Sequence, residues 1–249
     1  MRLLNIVPIT TDIWNTEYDT YCRKYLLPDT KVETKKLTHG PASIESEYDE
    51  ALAVPEVVFL CREAEKEGFD AVFINCFGDP GVRAARERVH IPVFGGFGPA
   101  IFYSLGIADR IGIVTVLPDV VSMLRGLIAK EGLKERVTSL RYVSIPVLDL
   151  SGIEKLISAL ITESKKAIDE DGVGSIVLGC TAMIGVKEAV EKGLRADGYN
   201  TVVIEAAQAS LMMCETYVRM GLSHSRITYM PPRDKERFWW TGDGVLPIK

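Results

Sequence analysis

The sequence predicts an α/β protein built as two similar lobes related by a pseudo-two-fold axis, with the active site in the cleft between them. Each lobe is expected to hold one parallel sheet flanked by helices. Three observations carry this reading. Short β-rich runs alternate with helical stretches. One half of the chain matches the other without a gap around a central motif, and a cysteine closes that motif in both halves.

The β-rich runs fall, in order, at residues 3–8, 31–37, 71–75, 93–95, 110–116, 137–145, 175–179 and 201–205. Between the second and third, Ser43 reads as a helix N-cap, with Glu45 and Glu47 in the first turn where the helix dipole favours anions. Pro55 suits the first position of a second helix, which Gly68 stops. Asp79 and Pro80 read as the cap and first residue of another.

The internal match aligns Gly68-Phe69-Asp70-Ala71-Val72-Phe73-Ile74-Asn75-Cys76 with Gly172-Val173-Gly174-Ser175-Ile176-Val177-Leu178-Gly179-Cys180, at an offset of 104. Gly81 and Gly185 keep that offset, and Ser43-Ile44-Glu45 corresponds to Gly152-Ile153-Glu154 at 109. The strand after Arg2 answers to the strand after Arg110, and Pro92-Val93-Phe94 to Val202-Val203-Ile204. A constant order with slowly drifting offsets indicates duplication of a unit of about 105 residues. The expected division is residues 1–97 plus 208–249 for the lobe with Cys76, and 98–207 for the lobe with Cys180.

Composition excludes several function classes. The 249 residues are 47% apolar and 25% charged, with net charge −5, so a folded core is expected and a polyanion partner is not. No apolar run approaches the roughly 20 residues needed to span a bilayer. The apolar run in residues 1–8 is too short for a signal peptide, so the expectation is a cytoplasmic protein without a membrane partner. Cysteines 22, 61, 76, 180 and 214 show no paired short spacing, which removes a Cys-x-x-Cys metal or redox site. His39, His90 and His224 are scattered and read as surface or loop residues. Gly95-Gly96-Phe97-Gly98 lacks the spacing of a dinucleotide fingerprint, and Ile74 and Leu178 break a Gly-x-Cys-x-Gly elbow. No metal and no cofactor is expected. The tail, with Pro231-Pro232 and Phe238-Trp239-Trp240, is expected to pack over a lobe or subunit surface of a homo-oligomer.

Ligands in open parallel sheets bind beyond the carboxyl ends of the strands, which is where Cys76 and Cys180 fall. Facing lobes would present both thiols, within about 10 Å of each other, to one small-molecule substrate. Racemisation next to a carbonyl needs one group to remove a proton and another to return one from the opposite face. Cysteine suits the task if a helix N-terminus lowers its thiol pKa, and the small residues after each cysteine would let backbone N–H groups hold an enolate oxygen. Cys22, Cys61 and Cys214 lack that context and read as buried small hydrophobes.

The motifs Gly40-Pro41-Ala42-Ser43-Ile44-Glu45-Ser46-Glu47-Tyr48-Asp49-Glu50, Asn75-Cys76-Phe77-Gly78-Asp79-Pro80-Gly81 and Leu178-Gly179-Cys180-Thr181-Ala182-Met183, with Gly221-Leu222-Ser223, span nearly the whole chain. In them the chain resembles the aspartate/glutamate/hydantoin racemase superfamily, and most closely its hydantoin racemase branch. That resemblance implies metal-free, pyridoxal-free racemisation of 5-substituted hydantoins by Cys76 and Cys180. It further implies Pro8, Thr10, Thr11, Pro41, Ser43, Phe77, Gly78, Thr181 and Ala182 as substrate-binding positions. Where the branch has Asn-Pro-Asn-Thr-Ser after the first strand, this chain has Val7-Pro8-Ile9-Thr10-Thr11, and Gly98 replaces a frequent acid. Both changes make the pocket less polar. Alternatives are an allantoin racemase, an amino-acid racemase, another two-cysteine isomerase, or a small-molecule binding protein without chemistry. Two cysteines at equivalent strand ends have no purpose in a pure binder.

Overall fold

The computed structural model describes residues 1–12, 15–241 and 244–248. Side chains of residues 13–19 and 238–249 lie outside that description, and with them the expectation for Phe238-Trp239-Trp240.

The first sheet holds β1 (Arg2–Val7), β2 (Lys31–Lys36), β3 (Ala71–Ile74) and β4 (Val93–Phe94), in the order β2-β1-β3-β4. The second holds β5 (Ile111–Thr115), β6 (Val137–Tyr142), β7 (Ser175–Leu178) and β8 (Val202–Glu205), in the order β6-β5-β7-β8. Every pairing within the two sheets is parallel, and the two orders are the same permutation. Seven of the eight sequence runs contain their strands, and the first, 3–8, misses only Arg2 at the start of β1. The central strands β3, β5 and β7 are buried at every residue, which explains their unbroken apolar sequences, because helices cover both faces. Fully burying one such side chain, as for Phe73 or Ile113, contributes roughly 1.5–3 kcal/mol.

The duplication extends to backbone conformation. Gly68 and Gly172 are left-handed, at φ 76° and 66°, and Gly81 and Gly185 both stand at φ 71°. A side chain is strained in that region, so the glycines are fixed by the turn in both halves.

The helices are α1 (Asn15–Tyr25), α2 (Glu47–Lys66), α3 (Val82–Arg88), α4 (Phe97–Leu105), α5 (Pro118–Lys130), α6 (Ile153–Asp171), α7 (Lys187–Ala196) and α8 (Ala206–Arg219). The chain crosses over twice: α4, which follows the first sheet, packs on β7 and β8, and α8 packs on β3 and β4. No described helix is long and apolar enough to cross a membrane.

Three readings of the helices need correction. Ser46, not Ser43, caps α2: its hydroxyl accepts the Asp49 N–H at 3.2 Å, and the Asp49 carboxylate accepts the Glu45 N–H at 3.1 Å. Residues 43–45 stay in a loop. Pro55 does not begin a helix but lies inside α2. The carbonyl it leaves without a helical donor belongs to Ala51, on the exposed side where water can serve it. Asp79 does not cap α3, whose cap is Gly81, for a reason that belongs to the site. The sequence reading also missed an antiparallel hairpin, β9 (Arg237–Thr241) with β10 (Gly244–Ile248).

His39 and His90 are exposed, as expected, whereas His224 is a half-buried loop residue. It accepts the Val93 N–H at 2.8 Å and packs edge-on against Phe94 and Tyr229. Burial holds its pKa down to about 3, so it is a neutral acceptor at the end of the first sheet.

Candidate active site

The carboxyl ends of β1, β3, β5 and β7 converge on one small cavity of about 60 Å³. Cys76 reaches it two residues past β3, and Cys180 two residues past β7. The last sheet pairings run up to the thiols: Asn75 N–H donates to Ile6 at 2.8 Å, and Gly179 N–H donates to Val114 at 2.8 Å. Gly179 permits the second approach, because a Cβ there would lie 2.6 Å from Ile113 Cγ2 and 3.0 Å from Thr115 Cβ. A side chain at this position would push β7 from β5 and move Cys180 with it.

Of the residues implicated from sequence, Pro8, Phe77, Gly78, Thr181 and Ala182 line the cavity together with both cysteines. Thr10, Thr11, Pro41 and Ser43 are not among the lining. Thr10 donates through its N–H (2.9 Å) and hydroxyl (3.3 Å) to the Pro41 carbonyl, and Thr11 donates its hydroxyl to Ala42 at 2.7 Å. These hydroxyls moor the loop that carries Ile44 into the cavity wall. Val7 and Ile9 face the cavity with apolar side chains where the related branch has amides.

Ile44, Val116, Val120, Met123, Val147, Asn75 and Gly179 complete the lining and were not singled out. Asn75 and Gly179 were available from their place beside the cysteines, and Val116 from its place just after β5. Val120, Met123 and Val147 carry no local signal, since only packing brings α5 and the segment after β6 over the strand ends. The side chains of the lining include no Lys, Arg, His, Asp or Glu. Glu45 closes one side from outside, accepting the Val147 N–H at 2.7 Å between the two halves of the chain.

The electrostatics overturn one expectation. No regular helix begins directly after either cysteine: α3 starts at Val82 and α7 at Lys187. Helix dipoles therefore do not lower the thiols, and burial raises both. Cys180 is pushed up to about 11, with the N–H groups of Ala182 and Met183 pulling the other way. Cys76 is pushed higher still, helped by only the Gly78 N–H and opposed by negative charge on Cys180, Glu50 and Asp79. The smaller upward push and the two N–H groups make Cys180 the first to ionise, and repulsion from its thiolate then keeps Cys76 protonated. The N–H groups of Gly78, Ala182 and Met183 thus favour the thiolate forms, and Met183 N–H also donates to the Cys180 carbonyl at 3.1 Å. Cys22, Cys61 and Cys214 are buried away from the cavity, as expected.

Asp79 sits at φ 56°, a conformation Asp tolerates better than most side chains. Its carboxylate turns away from α3 and accepts the N–H groups of Phe97 (2.8 Å) and Gly98 (3.4 Å), at the start of α4. Burial raises its pKa to about 7 against those two bonds. It is a cap, but for a helix that begins eighteen residues later in the chain.

A far larger open groove, about 1110 Å³, runs along the outer edge of β6 between α5 and α6. It holds no thiol, and of the strands only β6 lines it. Among the described residues no three His, Cys, Asp or Glu side chains converge to hold a metal.

The family described as Asp/Glu/Hydantoin racemase matches residues 3–214. The hydantoin racemase of Pseudomonas sp. (strain NS671) is 35% identical over 238 residues, covering 95% of this chain and 94% of that protein. The hydantoin racemase of Paenarthrobacter aurescens is 31% identical over 239 residues, 95% of this chain and 99% of that one. Among solved structures, allantoin racemase from Klebsiella pneumoniae superposes with a TM-score of 0.86 at 31% identity, over 94% of this chain and 95% of that one. Arylmalonate decarboxylase, with a TM-score of 0.64 at 18% identity over 92% and 97%, shares the fold.

Proposed function

Because the chain belongs to the Asp/Glu/hydantoin racemase family and is a racemase, we propose that it inverts C5 of 5-substituted hydantoins, with Cys76 and Cys180 as its only proton carriers. One observation carries the reading: two thiols from equivalent strand ends of the two halves line the same cavity. The division into residues 1–97 plus 208–249 and 98–207 belongs to it, each lobe offering one thiol.

In the forward direction the thiolate of one cysteine takes the C5 proton, and the electron pair passes into the adjacent ring carbonyl. The opposite thiol then gives its proton to the other face of C5, which restores the C–H bond and leaves that sulfur as thiolate. The protonation states of the pair are exchanged, and solvent resets them. A thiolate whose conjugate acid has a pKa near 11 is a stronger base than one near 8.5, so burial trades thiolate population for base strength.

The lining favours a neutral ring over a free amino acid, since it offers no charged side chain to a carboxylate or an ammonium. The similarity to allantoin racemase supports a second substrate, allantoin. Its polar ureido arm fits less well against Val7, Ile9 and Ile44 than an aliphatic or aromatic substituent does.

A panel of enantiopure 5-isopropylhydantoin, 5-benzylhydantoin, allantoin and free amino acids, incubated in D2O, tests this. Optical rotation is expected to decay and deuterium to enter C5 fastest for the apolar-substituted hydantoins, above the enzyme-free rate and undiminished by exhaustive chelation. Activity on free amino acids alone would overturn the substrate class. Activity lost to a chelator and restored by one metal would overturn the proton carriers.

A further inference from the structure

The turn Gly95-Gly96-Phe97-Gly98 has no part in the chemistry above, yet it is wedged between the two cysteine loops. Gly96 N–H donates to the Cys76 carbonyl at 2.9 Å. A Cβ at Gly96 would meet both loops at once, 2.6 Å from Thr181 Cγ2, and 2.9 Å and 3.1 Å from Cys76 O and Phe77 Cα. Gly96 is therefore the thickness of backbone that separates the Cys76 loop from the residue next to Cys180. Asp79 holds the turn in place through Phe97 and Gly98, and a Cβ at Gly95 would fall 2.1 Å from its Oδ1. The helix that the turn begins, α4, packs on β7 and β8, the strands of the other thiol. A turn fastened to one loop, touching the second and continuing into the second sheet fixes how far apart those loops can stand.

Resting on the two-thiol reading, we propose that Gly96 is a positioning residue whose missing side chain sets the spacing of the two sulfurs, with Asp79 as the fastener of that spacer. Abstraction requires contact with one thiol. Inversion requires that the carbanion also reach the other. A wider gap therefore spares the first event and cuts the second, whereas general damage to the fold lowers both together.

The test is Gly96→Ala, followed in D2O with one enantiopure 5-benzylhydantoin by chiral separation and mass. The kcat for inversion is expected to fall about a hundredfold, the scale of a misplacement near 1 Å, while deuterium entry with retention falls much less. The ratio of exchange with retention to inversion thus rises roughly tenfold or more. Adding Thr181→Ser, which removes the methyl nearest the new Cβ, is expected to bring the ratio part of the way back. Asp79→Asn keeps the left-handed residue but offers one acceptor oxygen where two N–H groups point, and it should raise the ratio to a smaller extent. It also carries the test if Gly96→Ala does not fold. An unchanged ratio in a folded Gly96→Ala, or a parallel fall of both events without rescue by Thr181→Ser, overturns the proposal. If the unaltered protein neither inverts nor exchanges any hydantoin, the two-thiol reading fails first and takes this inference with it.

Discussion

Cys76→Ser and Cys180→Ser are each expected to stop net racemisation, lowering kcat by about 10³-fold or more, while leaving slow deuterium exchange from one enantiomer only. A positioned proton-transfer group contributes typically 10²–10⁴-fold, and inversion needs two of them in series. Serine is far too weak an acid to be an alkoxide near neutral pH, so the substituted face loses its base. The same hydroxyl can still give a proton to a strongly basic carbanion. Each variant therefore exchanges the enantiomer whose hydrogen faces the surviving thiolate, and the favoured enantiomer should be opposite in the two. Chiral separation of the products after incubation in D2O reads both effects. Cys22, Cys61 and Cys214 to serine should keep turnover within a few-fold and lose about 1–3 kcal/mol of stability where a hydroxyl is buried without a partner. Cys214→Ser should lose less than Cys61→Ser, because the Val72 carbonyl lies 3.6 Å from the Cys214 sulfur and can accept from a hydroxyl. Near-normal racemisation by either cavity variant would falsify the two-thiol mechanism.

The second large effect is on pH dependence. Activity needs one thiolate and one thiol, and burial raises both pKa values, Cys180 to about 11 and Cys76 above it. Raising the pH through the neutral range therefore populates the active monoanion without yet removing the second proton. The kcat/KM, which reports the free enzyme, is expected to climb about tenfold per pH unit, so roughly a hundredfold from pH 7 to 9, and to bend only towards pH 11. The measurement needs correction for the substrate's own imide ionisation and for enzyme-free racemisation. The two enantiomers have equal free energy, so kcat/KM must be the same in both directions at each pH. The preference for ionising Cys180 can show only in kcat and KM separately. A profile already flat at pH 7 would mean preformed thiolates, and would remove burial as the controlling influence.

How much of this was legible beforehand depended on the range of the interaction concerned. The sequence by itself determined the eight sheet strands: β3, β5 and β7 as apolar runs, which look the same wherever a sheet buries them on both faces, and the more exposed β2 and β6 as β-rich runs between helical stretches. It determined the repeated unit, because Gly68 and Gly172, or Gly81 and Gly185, answer to the same local backbone demand. It determined that Cys76 and Cys180 stand at equivalent strand ends and so at the cavity they line, because position at a strand end is read along the chain. Tertiary structure decided the rest. Ser46 capped α2 in place of Ser43 through reciprocal bonds with Asp49, and Asp79 passed over α3 to cap α4 because folding brought that N-terminus to its side chain. Ile44, Met123 and Val147 entered the cavity wall from three separate segments. The direction of the thiol pKa shifts followed from that wall. A nearby helix start would have stabilised a thiolate, whereas the loss of water to side chains distant in sequence destabilises it. Desolvation depends on everything that surrounds an atom, and no stretch of sequence contains that information.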